Sequence, residues 1–320
     1  MFGYIYAEEV TIKNVAVNIG EQGVSGASYA GGLLGNYSVQ DNYILAIENC
    51  YTTGNVSTSI AGGLIGNCTT YSYGKITVIN CYTTGNILGL VRTGGLIGSC
   101  RSNATITNCY ATGDVSGSIY AGGLSGRFDR IRVENCYATG NIFATSMRYN
   151  GSAYAGGLVG YCNLSSKITN SYAIGNVSAT SIFSNVGGLI GYTETNNPVN
   201  NCYRLSTQTL TGTRVDSSGI ELTPEQMKDS TNFTGWDFDN VWRYKCGVNN
   251  DYPVLLAFFP VIIGDVDGDG YITENDARLI LQYIVGLIEL KEWQKEAADV
   301  FGDDEITAAN ATFILHEIEP

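Results

Sequence analysis

The sequence predicts a mainly β chain that ends in a small all-α module, and three observations support this. A glycine-rich repeat of about 30 residues fills the first two thirds of the chain without helical periodicity. Two similar loop-and-helix segments, which begin at Asp265 and Asp299, close the chain, and acidic residues concentrate after residue 260. We therefore expect a parallel, β-helix-like solenoid over 1–205, a C-terminal cap of that solenoid over 206–260, and the helical module over 261–320.

Each repeat of the predicted solenoid carries two sequence blocks. The first is Ala-Gly-Gly-Leu or a close variant, at Ala30–Leu33, Ala61–Leu64, Thr93–Leu96, Ala121–Leu124, Ala155–Leu158 and Val186–Leu189. The second is Asn-Cys-Tyr or a variant, with its asparagine at Asn14, Asn49, Asn80, Asn108, Asn135, Asn170 and Asn201. Short β-branched runs between glycine-containing turns predict strands, and equivalent positions should stack about 4.8 Å apart from coil to coil. The paired glycines permit close backbone approach at the bends.

Most of the nine cysteines follow the repeat. One repeat position holds Cys50, Cys81, Cys109, Cys136, Ser171 and Cys202, and a second row holds Cys68, Cys100 and Cys162. Parallel Cβ atoms about 4.8 Å apart lie farther apart than the ~3.8 Å of a disulfide, so we expect a ladder of buried thiols. Strict strand alternation would place Cys136 on the face of Arg132 and Glu134. We expect a bend at Asn135 to reset that phase.

This two-block pattern resembles the GLUG repeats of bacterial surface proteins over about residues 10–205. That family includes adhesins and the non-catalytic part of IgA-specific metallopeptidases. The resemblance implies an architecture and no activity. The ligand of such an array is left open between a carbohydrate and a protein of a host or cell surface.

Two tryptophans follow the last repeat, within the segment Gly235–Trp242. Trp236, Trp242 and Phe238 could cover the open strand edge and core that the final coil leaves exposed. A similar Trp-Asp-Phe segment closes the array in GLUG proteins. The alternative is an aromatic platform that binds sugar.

A twelve-residue acidic loop begins at position 265. Carboxylates occupy loop positions 1, 3, 5 and 12 and a glycine occupies position 6, namely Asp265, Asp267, Asp269, Asp276 and Gly270. This spacing wraps one hard cation in oxygen ligands at roughly 2.3–2.6 Å, with the carbonyl of Tyr271 and a water held by Thr273 completing the set. The apolar run before the loop lacks a helical period, whereas a helix-periodic segment follows and ends near Gly286. The sequence therefore predicts a calcium-binding half EF-hand.

A second copy of the loop runs from 299 to 310. Its candidate ligands are Asp299, Asp303, Glu305, Thr307 and Asn310. Position 3 is Phe301, which cannot ligate, and the neutral Asn310 stands at position 12. Asp304 replaces the glycine at position 6, where aspartate tolerates the left-handed conformation. We expect calcium in the first loop, and the loss of two carboxylates weakens the second site.

Two half EF-hands joined by a short helix within 261–320 resemble a dockerin, the module that docks bacterial enzymes and adhesins onto cohesin modules of a scaffold. The resemblance implies that cohesin binds the two loop-following helices, with loop positions 10 and 11 setting the choice of partner. Those positions are Glu274 and Asn275 in the first repeat and Ala308 and Ala309 in the second. Because the halves differ there, we expect one binding orientation, led by the first repeat with Gln282 on its exposed stripe. The alternative is an Ala308–Ala309 surface that packs on an apolar cohesin plateau.

Charge and hydropathy restrict where the chain works. Residues 1–260 carry 16 acids and 14 bases, whereas residues 261–320 carry 14 acids and 3 bases. This acidic end argues against nucleic acid as a partner. No apolar run is long enough to span a membrane, and the N-terminus lacks the features of a secretory signal. We expect a segment of a longer secreted protein, located outside the cell or on the surface of an anaerobic bacterium.

The candidate catalytic residues are sparse. The only histidine, His316, stands close to the C-terminus, so 1–260 lacks a histidine base for serine or cysteine nucleophiles. Asp237 with Asp239, and the charged run Arg127–Arg132, are interpreted as cap and surface. We therefore expect a non-catalytic protein that docks on a cohesin scaffold and whose solenoid serves adhesion or spacing. The alternative is the C-terminal part of a modular secreted peptidase or polysaccharide-degrading enzyme whose catalytic domain precedes Met1.

Overall fold

A computed structural model describes residues 2–39, 43–70, 74–146, 151–163, 165–194 and 199–318. The chain forms two compact units, residues 1–224 and 225–320, which are described separately below. The first unit is a parallel β-solenoid, and the second contains the three α-helices. The predicted fold class is therefore confirmed.

Five strand positions recur in each coil of the solenoid, and every strand pairs in parallel with its equivalent in the next coil. Three positions form an 18-stranded sheet and two form a 12-stranded sheet. The large sheet contains Phe2–Ile5, Glu9–Lys13, Ala16–Asn18, Leu34–Val39, Ile44–Glu48, Tyr51–Thr53, Ile65–Thr70, Lys75–Ile79, Tyr82–Thr83, Ile97–Ala111, Ser125–Ala138, Val159–Asn163, Lys167–Thr169, Tyr172–Ala173, Ile190–Thr193, Val199–Asn200, Tyr203–Leu205 and Ile220–Leu222. The smaller sheet contains Val24–Ser25, Tyr29–Gly31, Val56–Gly62, Ile87–Gly94, Val115–Gly117, Tyr120–Gly122, Ile142–Thr145, Ser152–Gly156, Val177–Thr180, Phe183–Gly187, Leu210–Thr211 and Arg214–Asp216.

A left-handed asparagine bends the large sheet in each repeat. The φ angles of these residues lie between 47° and 57°, at Asn14, Asn49, Asn80, Asn108, Asn135, Asn170 and Asn201. Asparagine tolerates this region better than other residues with a side chain, and the amides also bond along the column. Asn135 Nδ2, for example, donates to Asn108 Oδ1 at 3.2 Å. The bend predicted at Asn135 is confirmed, and it turns the fully buried Cys136 into the core.

The predicted ladder of buried thiols lies directly after this bend. All nine cysteines are free, and eight of them are buried. Each thiol of the ladder donates to the carbonyl two residues before it, as Cys136 Sγ does to Glu134 O at 3.2 Å. Ser171 Oγ makes the same bond to Thr169 O at 2.7 Å, which explains why serine can replace cysteine there. Burial raises the pKa of Cys202 to about 12, which keeps that thiol protonated.

The tyrosine after each ladder position forms a second column. Tyr51, Tyr82, Tyr110, Tyr137 and Tyr172 stack in order with ring centroids 4.7–5.1 Å apart. This spacing matches the distance between neighbouring strands, so one ring per coil builds a continuous stack. The aliphatic core between the two sheets contains the leucine of each Gly-Gly-Leu block.

The predicted cap is divided between the two units. Residues 206–224 belong to the solenoid unit, where the strand Ile220–Leu222 pairs in parallel with Tyr203–Leu205. Residues 225–260 belong to the second unit. A capping role for 206–260 stays a prediction.

Aromatic side chains organise residues 225–260. Trp236 and Trp242 stack with their centroids 4.2 Å apart, and Phe233 and Phe238 surround Trp236. Trp242 is fully buried and Trp236 is 8% exposed, so neither ring offers the free face that a sugar platform requires. Trp242–Arg243 pairs antiparallel with Val254–Leu255.

Three helices complete the second unit: α1 (Glu274–Ile284), α2 (Glu292–Ala298) and α3 (Ala308–Glu317). A left-handed Gly286 ends α1, because its N–H donates to Tyr283 O while Leu287 N donates to Gln282 O. The shared core contains Ala277 and Ile280 of α1 and the equivalent alanine and isoleucine of α3. Among the described residues, no helix combines the length and apolar character needed to cross a membrane.

Candidate metal centre and docking helices

The first acidic loop brings three of its predicted ligands together. Ligand oxygens of Asp265, Asp267 and Asp269 all lie within 4.8 Å of one another. Left-handed glycines at positions 268 and 270, with φ of 78° and 97°, allow the chain to turn this tightly. Three carboxylates at this separation repel one another unless a cation lies among them.

Asp265 provides an independent indication of a cation. This residue is 1% exposed, and its Oδ1 is buried without a hydrogen-bond partner among the described residues. Its Oδ2 accepts from Gly270 N at 3.0 Å and lies 3.4 Å from Lys245 Nζ. A buried carboxylate oxygen without a partner is costly, and a hard cation coordinated by oxygen would satisfy it. The residues present therefore fit calcium.

The remaining predicted ligands occupy defined places around this cluster. Asp276 is fully buried, its Oδ2 accepts from Thr273 N at 2.8 Å, and its Oδ1 accepts from Asp267 N at 2.9 Å. Asp276 and Thr273 thus form the capping box that begins α1. Tyr271 is 72% exposed, which leaves its backbone carbonyl as its contribution to a metal site. Ligation by Tyr271, Thr273 and Asp276 stays a prediction.

The second loop repeats hydrogen bonds of the first at equivalent positions. Asp299 Oδ2 accepts from Asp304 N at 2.9 Å, as Asp265 does from Gly270. Asp304 takes the glycine position with φ of 62°, so the predicted left-handed turn is present. The pKa of Asp299 is held below its usual range by hydrogen bonds from three backbone N–H groups. The N–H of Asp304 contributes most, followed by those of Asp303 and Gly302.

Two substitutions remove ligands from this second loop. Phe301 is 51% exposed and packs edge-on against Phe313, with their centroids 5.4 Å apart. Asn310 is fully buried, and its Oδ1 accepts from Thr307 N at 2.8 Å. Its Nδ2 is buried without a partner in the described part of the chain. Asp303 and Glu305 are exposed, and the described residues contain no three-carboxylate cluster here.

Four of the predicted docking residues lie at the N-terminal ends of the two outer helices, and Gln282 lies in the last turn of α1. Glu274, Asn275, Ala308 and Ala309 are exposed, and Gln282 is partly exposed. Asn275 also braces the first loop, because its Nδ2 donates to Asp267 Oδ2 at 3.2 Å and its Oδ1 accepts from Arg278. The amide of Asn275 is therefore already engaged within the module.

Exposed apolar side chains lie on both helices predicted to dock. Leu281 and Ile284 of α1 are 44% and 41% exposed, and Phe313 and Leu315 of α3 are 41% and 38% exposed. A shallow groove of about 400 Å³ is lined by Glu274, Asn275, Ala277, Arg278, Leu281 and Leu315, so it joins α1 to α3. Sequence reasoning named Gln282 and the two positions that begin each helix, and it missed these larger apolar side chains.

Sequence reasoning also missed the contacts that residues 225–260 make with the helical module. Arg243 is 2% exposed, its guanidinium lies 4.4 Å from the Trp293 ring centroid of α2, and its Nη1 donates to Phe259 O at 3.2 Å. Lys245 forms an ion pair with Asp265, the first residue of the first acidic loop. Two cationic side chains from one segment thus contact the acidic loop and the connecting helix.

Asp237, one of the two candidate catalytic carboxylates, has a structural role. Asp237 Oδ1 accepts from the backbone N–H groups of Asp239 and Asn240, each at 2.9 Å, so it closes a turn. His316 is an exposed residue in the last turn of α3. Within the described part of the chain, neither side chain hydrogen-bonds to a serine or cysteine nucleophile.

Comparison with known proteins assigns family descriptions to two segments. The family model of the dockerin type I domain matches residues 263–319, and the model of the GLUG motif matches residues 89–116. No curated protein matches the chain. One similar solved structure is described as the "crystal structure of a putative immunoglobulin A1 protease from Bacteroides ovatus"; it is 24% identical, and the alignment covers 77% of this chain and 75% of that one, with a TM-score of 0.51. At this identity the likeness concerns the fold alone.

Proposed function

We propose that the chain is a non-catalytic extracellular protein that docks, in its calcium-bound form, onto the cohesin module of a scaffold. The match of residues 263–319 to the dockerin type I domain carries this proposal. The cluster of Asp265, Asp267 and Asp269 and the buried free oxygen of Asp265 support one calcium site in the first loop. The solenoid then serves as an adhesive or spacing limb.

Calcium titration tests the metal part of the proposal. Calorimetry on residues 225–320 should record one tight site from the first loop and a weaker one from the second. Calcium that binds only the folded state adds about 2.7 kcal/mol of stability when its free concentration is 100 times Kd. Two sites of equal affinity would contradict the assignment of a weak second loop.

Cohesin binding to the full chain tests the docking part. Affinity for a type I cohesin should be high in calcium and lost in chelator. We expect the first repeat to lead, so Glu274→Ala combined with Gln282→Ala should weaken binding by about tenfold, while Ala309→Asp should have a smaller effect. Asn275→Ala is less suitable, because Asn275 also holds Asp267. If only Ala309→Asp weakens binding, the second repeat leads instead.

A second candidate is the C-terminal part of a modular secreted enzyme. The observation that favours it is the fold similarity to a structure described as that of a putative immunoglobulin A1 protease. The coding sequence upstream of Met1 tests this candidate directly. A catalytic domain encoded there would make the described units its targeting and spacing parts, whereas its absence would favour the first candidate.

A further inference from the structure

Two columns of side chains meet along one edge of the solenoid. One column lies just before the Gly-Gly turn, where Arg92 pairs in register with Tyr120 and Tyr120 with Tyr154. The other lies just after it, where Arg127 pairs with Tyr161 and Tyr161 with Tyr192. The columns come close because Gly160, in the strand Val159–Asn163 of the second column, has no side chain: an added Cβ there would stand 2.7 Å from Ala121 O. We call these six side chains of the two columns the Tyr/Arg array.

The four tyrosine rings of the array form one connected surface. Tyr120 stacks on Tyr154 with centroids 5.3 Å apart, and Tyr161 stacks on Tyr192 at 5.7 Å. Across the edge, Tyr120 meets Tyr161 at 5.1 Å and Tyr154 meets Tyr192 at 5.4 Å. Tyr161 is 8% exposed and supports the other three, of which Tyr192 is 38% exposed. The array thus presents a rigid aromatic face with little conformational entropy to lose on binding.

Guanidinium groups extend the aromatic face and outnumber the carboxylate beneath them. Arg127 lies 5.0 Å from the Tyr161 centroid and binds the buried Asp129 at 3.1 Å. Arg101 binds the same carboxylate at 3.0 Å. Arg92 has no ion pair within the described residues, and its Nε is buried without a hydrogen-bond partner there. Arg101 and Arg127 therefore share one buried carboxylate, and Arg92 is left without one among the described residues.

The surroundings of Arg92 point to an anion as its partner. Burial first, and then repulsion by Arg127 and Arg101, lower the pKa of Arg92. A carboxylate placed against its planar fork would offset the cost of burial and the repulsion, because bidentate pairing supplies an opposite charge and satisfies two N–H groups at once. A second carboxylate near the rings, that of Glu194, is already engaged, because it accepts from the Tyr161 hydroxyl.

We propose that the Tyr/Arg array binds a glycan chain whose sugars carry carboxylate groups. The apolar C–H faces of pyranose rings would pack on Tyr120, Tyr154 and Tyr192, and a uronate-type carboxylate would pair with Arg92. Single-stranded nucleic acid also combines stacking with anionic charge. Nucleic acid fits less well, because it carries one phosphate per nucleotide. The three guanidiniums lie near two carboxylates, so the local excess of positive charge is small, and the whole chain has a net charge of −13.

This proposal rests on the proposed function only in taking the solenoid as a binding limb. The two can fail separately, because the array and the cohesin-binding helices lie in different units. Cohesin affinity, measured on every variant below, reports the docking function alone. The test uses the full chain.

The first test measures binding of a hyaluronate octasaccharide by calorimetry, with its methyl ester as the matched neutral ligand. The acidic glycan should bind, and the ester should bind at least about tenfold more weakly because it offers Arg92 no charge. Equal binding of both ligands, no binding of the acidic glycan, or preferential binding of an oligo(dT) strand would overturn the proposal.

Matched variants locate the site. Arg92→Gln should weaken binding of the acidic glycan by about tenfold and leave binding of the ester unaffected. The affinity of Arg92→Lys for the acidic glycan should lie between those of the native chain and of Arg92→Gln. Arg132→Gln removes an exposed guanidinium outside the array and should have no effect. Tyr192→Ala should weaken both ligands, whereas Tyr4→Ala, an exposed tyrosine of another coil, should weaken neither. Because Tyr192 is exposed, its variant tests the array even if Arg92→Gln fails to fold. Equal losses in the control variants would contradict this location.

Discussion

Asp276 and Asn310 hold equivalent places in the two loops, but they differ in one side-chain atom. In Asp276 this atom is an oxygen that accepts a hydrogen bond, and in Asn310 it is the Nδ2 nitrogen, which can only donate. Asp276 accepts two backbone N–H groups with two oxygens. Asn310 accepts one with Oδ1 and directs an NH₂ group into a buried place where it finds no partner among the described residues. The bond from Thr307 N fixes this orientation, because a flipped amide would place two donors together.

Asn310→Asp should therefore improve the second loop in calcium. The new oxygen removes the buried donor, adds a carboxylate at position 12, and should raise the free energy of unfolding in calcium by about 1–3 kcal/mol. In chelator the gain should vanish, because the added charge is then buried without a cation. Urea unfolding of residues 225–320 in both conditions measures the difference.

Asp276→Asn is the matched control. It should place a buried amide NH₂ group at position 12 of the first loop, remove a carboxylate there, and lower the calcium affinity of that loop. A gain from Asn310→Asp that is equally large in chelator would show that calcium has no part in the effect.

Single residues of the repeat could be interpreted from sequence when their role was the same in every copy. The bend at Asn135 followed from the need to turn Cys136 inward, and the serine at 171 indicated that the ladder needs no disulfide. The role of Arg92 could not be inferred this way, because Ile60 and Tyr120 stand at its position in the adjacent coils.

At the scale of elements, the columns of the solenoid protect their own side chains. Each thiol of the ladder is enclosed by its neighbours above and below and bonded to a carbonyl. Burial raises the pKa of Cys109 well above its usual range, which keeps that thiol protonated. Cys81 differs, because its burial is outweighed by hydrogen bonds to Cys109 and Cys50, which lower its pKa to about 5, so enclosure in the core is what shields it from a reagent. Cys246 of the second unit is the exposed exception.

We expect a thiol-alkylating reagent to distinguish these two environments. In the native chain it should modify Cys246 only, and after denaturation it should modify all nine cysteines. Mass spectrometry after native and denaturing alkylation counts the additions, with Cys246→Ser as the control that abolishes the native one. Rapid native modification of several ladder thiols would contradict a closed core.

The segment 225–260 belongs to the same compact unit as the three helices. Its Trp and Phe residues indicated burial, but the sequence did not show which contacts bury them. The assignment of this segment as a cap followed from the open edge of the last coil and from the resemblance to GLUG proteins. Arg243 shows the contribution most clearly, since it joins the backbone of Phe259 to the ring of Trp293.

Arg243→Ala should destabilise residues 225–320. It removes a desolvated cation–π contact of about 2 kcal/mol or more and a buried hydrogen bond. Arg278→Ala, which removes an exposed guanidinium on α1, should cost much less. The midpoint of urea unfolding in calcium compares the two variants. Equal stability would mean that the segment contributes nothing to the helical unit.

At the scale of the whole molecule, calcium dependence should be confined to one unit. The three-carboxylate cluster lies in residues 225–320, whereas hydrogen-bond ladders and apolar columns build residues 1–224. Chelator should therefore reduce the helical circular dichroism of residues 225–320 and leave the β signal of residues 1–224 unchanged. Loss of that β signal on chelation would contradict this division.

The sequence predicted the overall architecture because periodic patterns carry it. Two of these patterns, Gly-Gly-Leu and Asn-Cys-Tyr, recur in the coils and mark the repeat. The spaced aspartates of the first loop occur once, but their spacing is specific to a calcium-binding loop. Contacts formed by dissimilar residues from different coils or segments remained hidden. Lys245 beside Asp265 is such a contact, since the two side chains are distant in the sequence and no local pattern relates them.

The constant register of the asparagine bends gives the coils of the solenoid a regular spacing. Successive bends are separated by 35, 31, 28 and 27 residues from Asn14 to Asn135, yet each amide meets the next at 3.1–3.2 Å. The number of residues in a coil therefore does not alter this register, and each coil adds one strand spacing of about 4.8 Å to the length. Gain or loss of a whole repeat in the gene would change the length of the solenoid by that fixed step, and the remaining coils would keep their contacts.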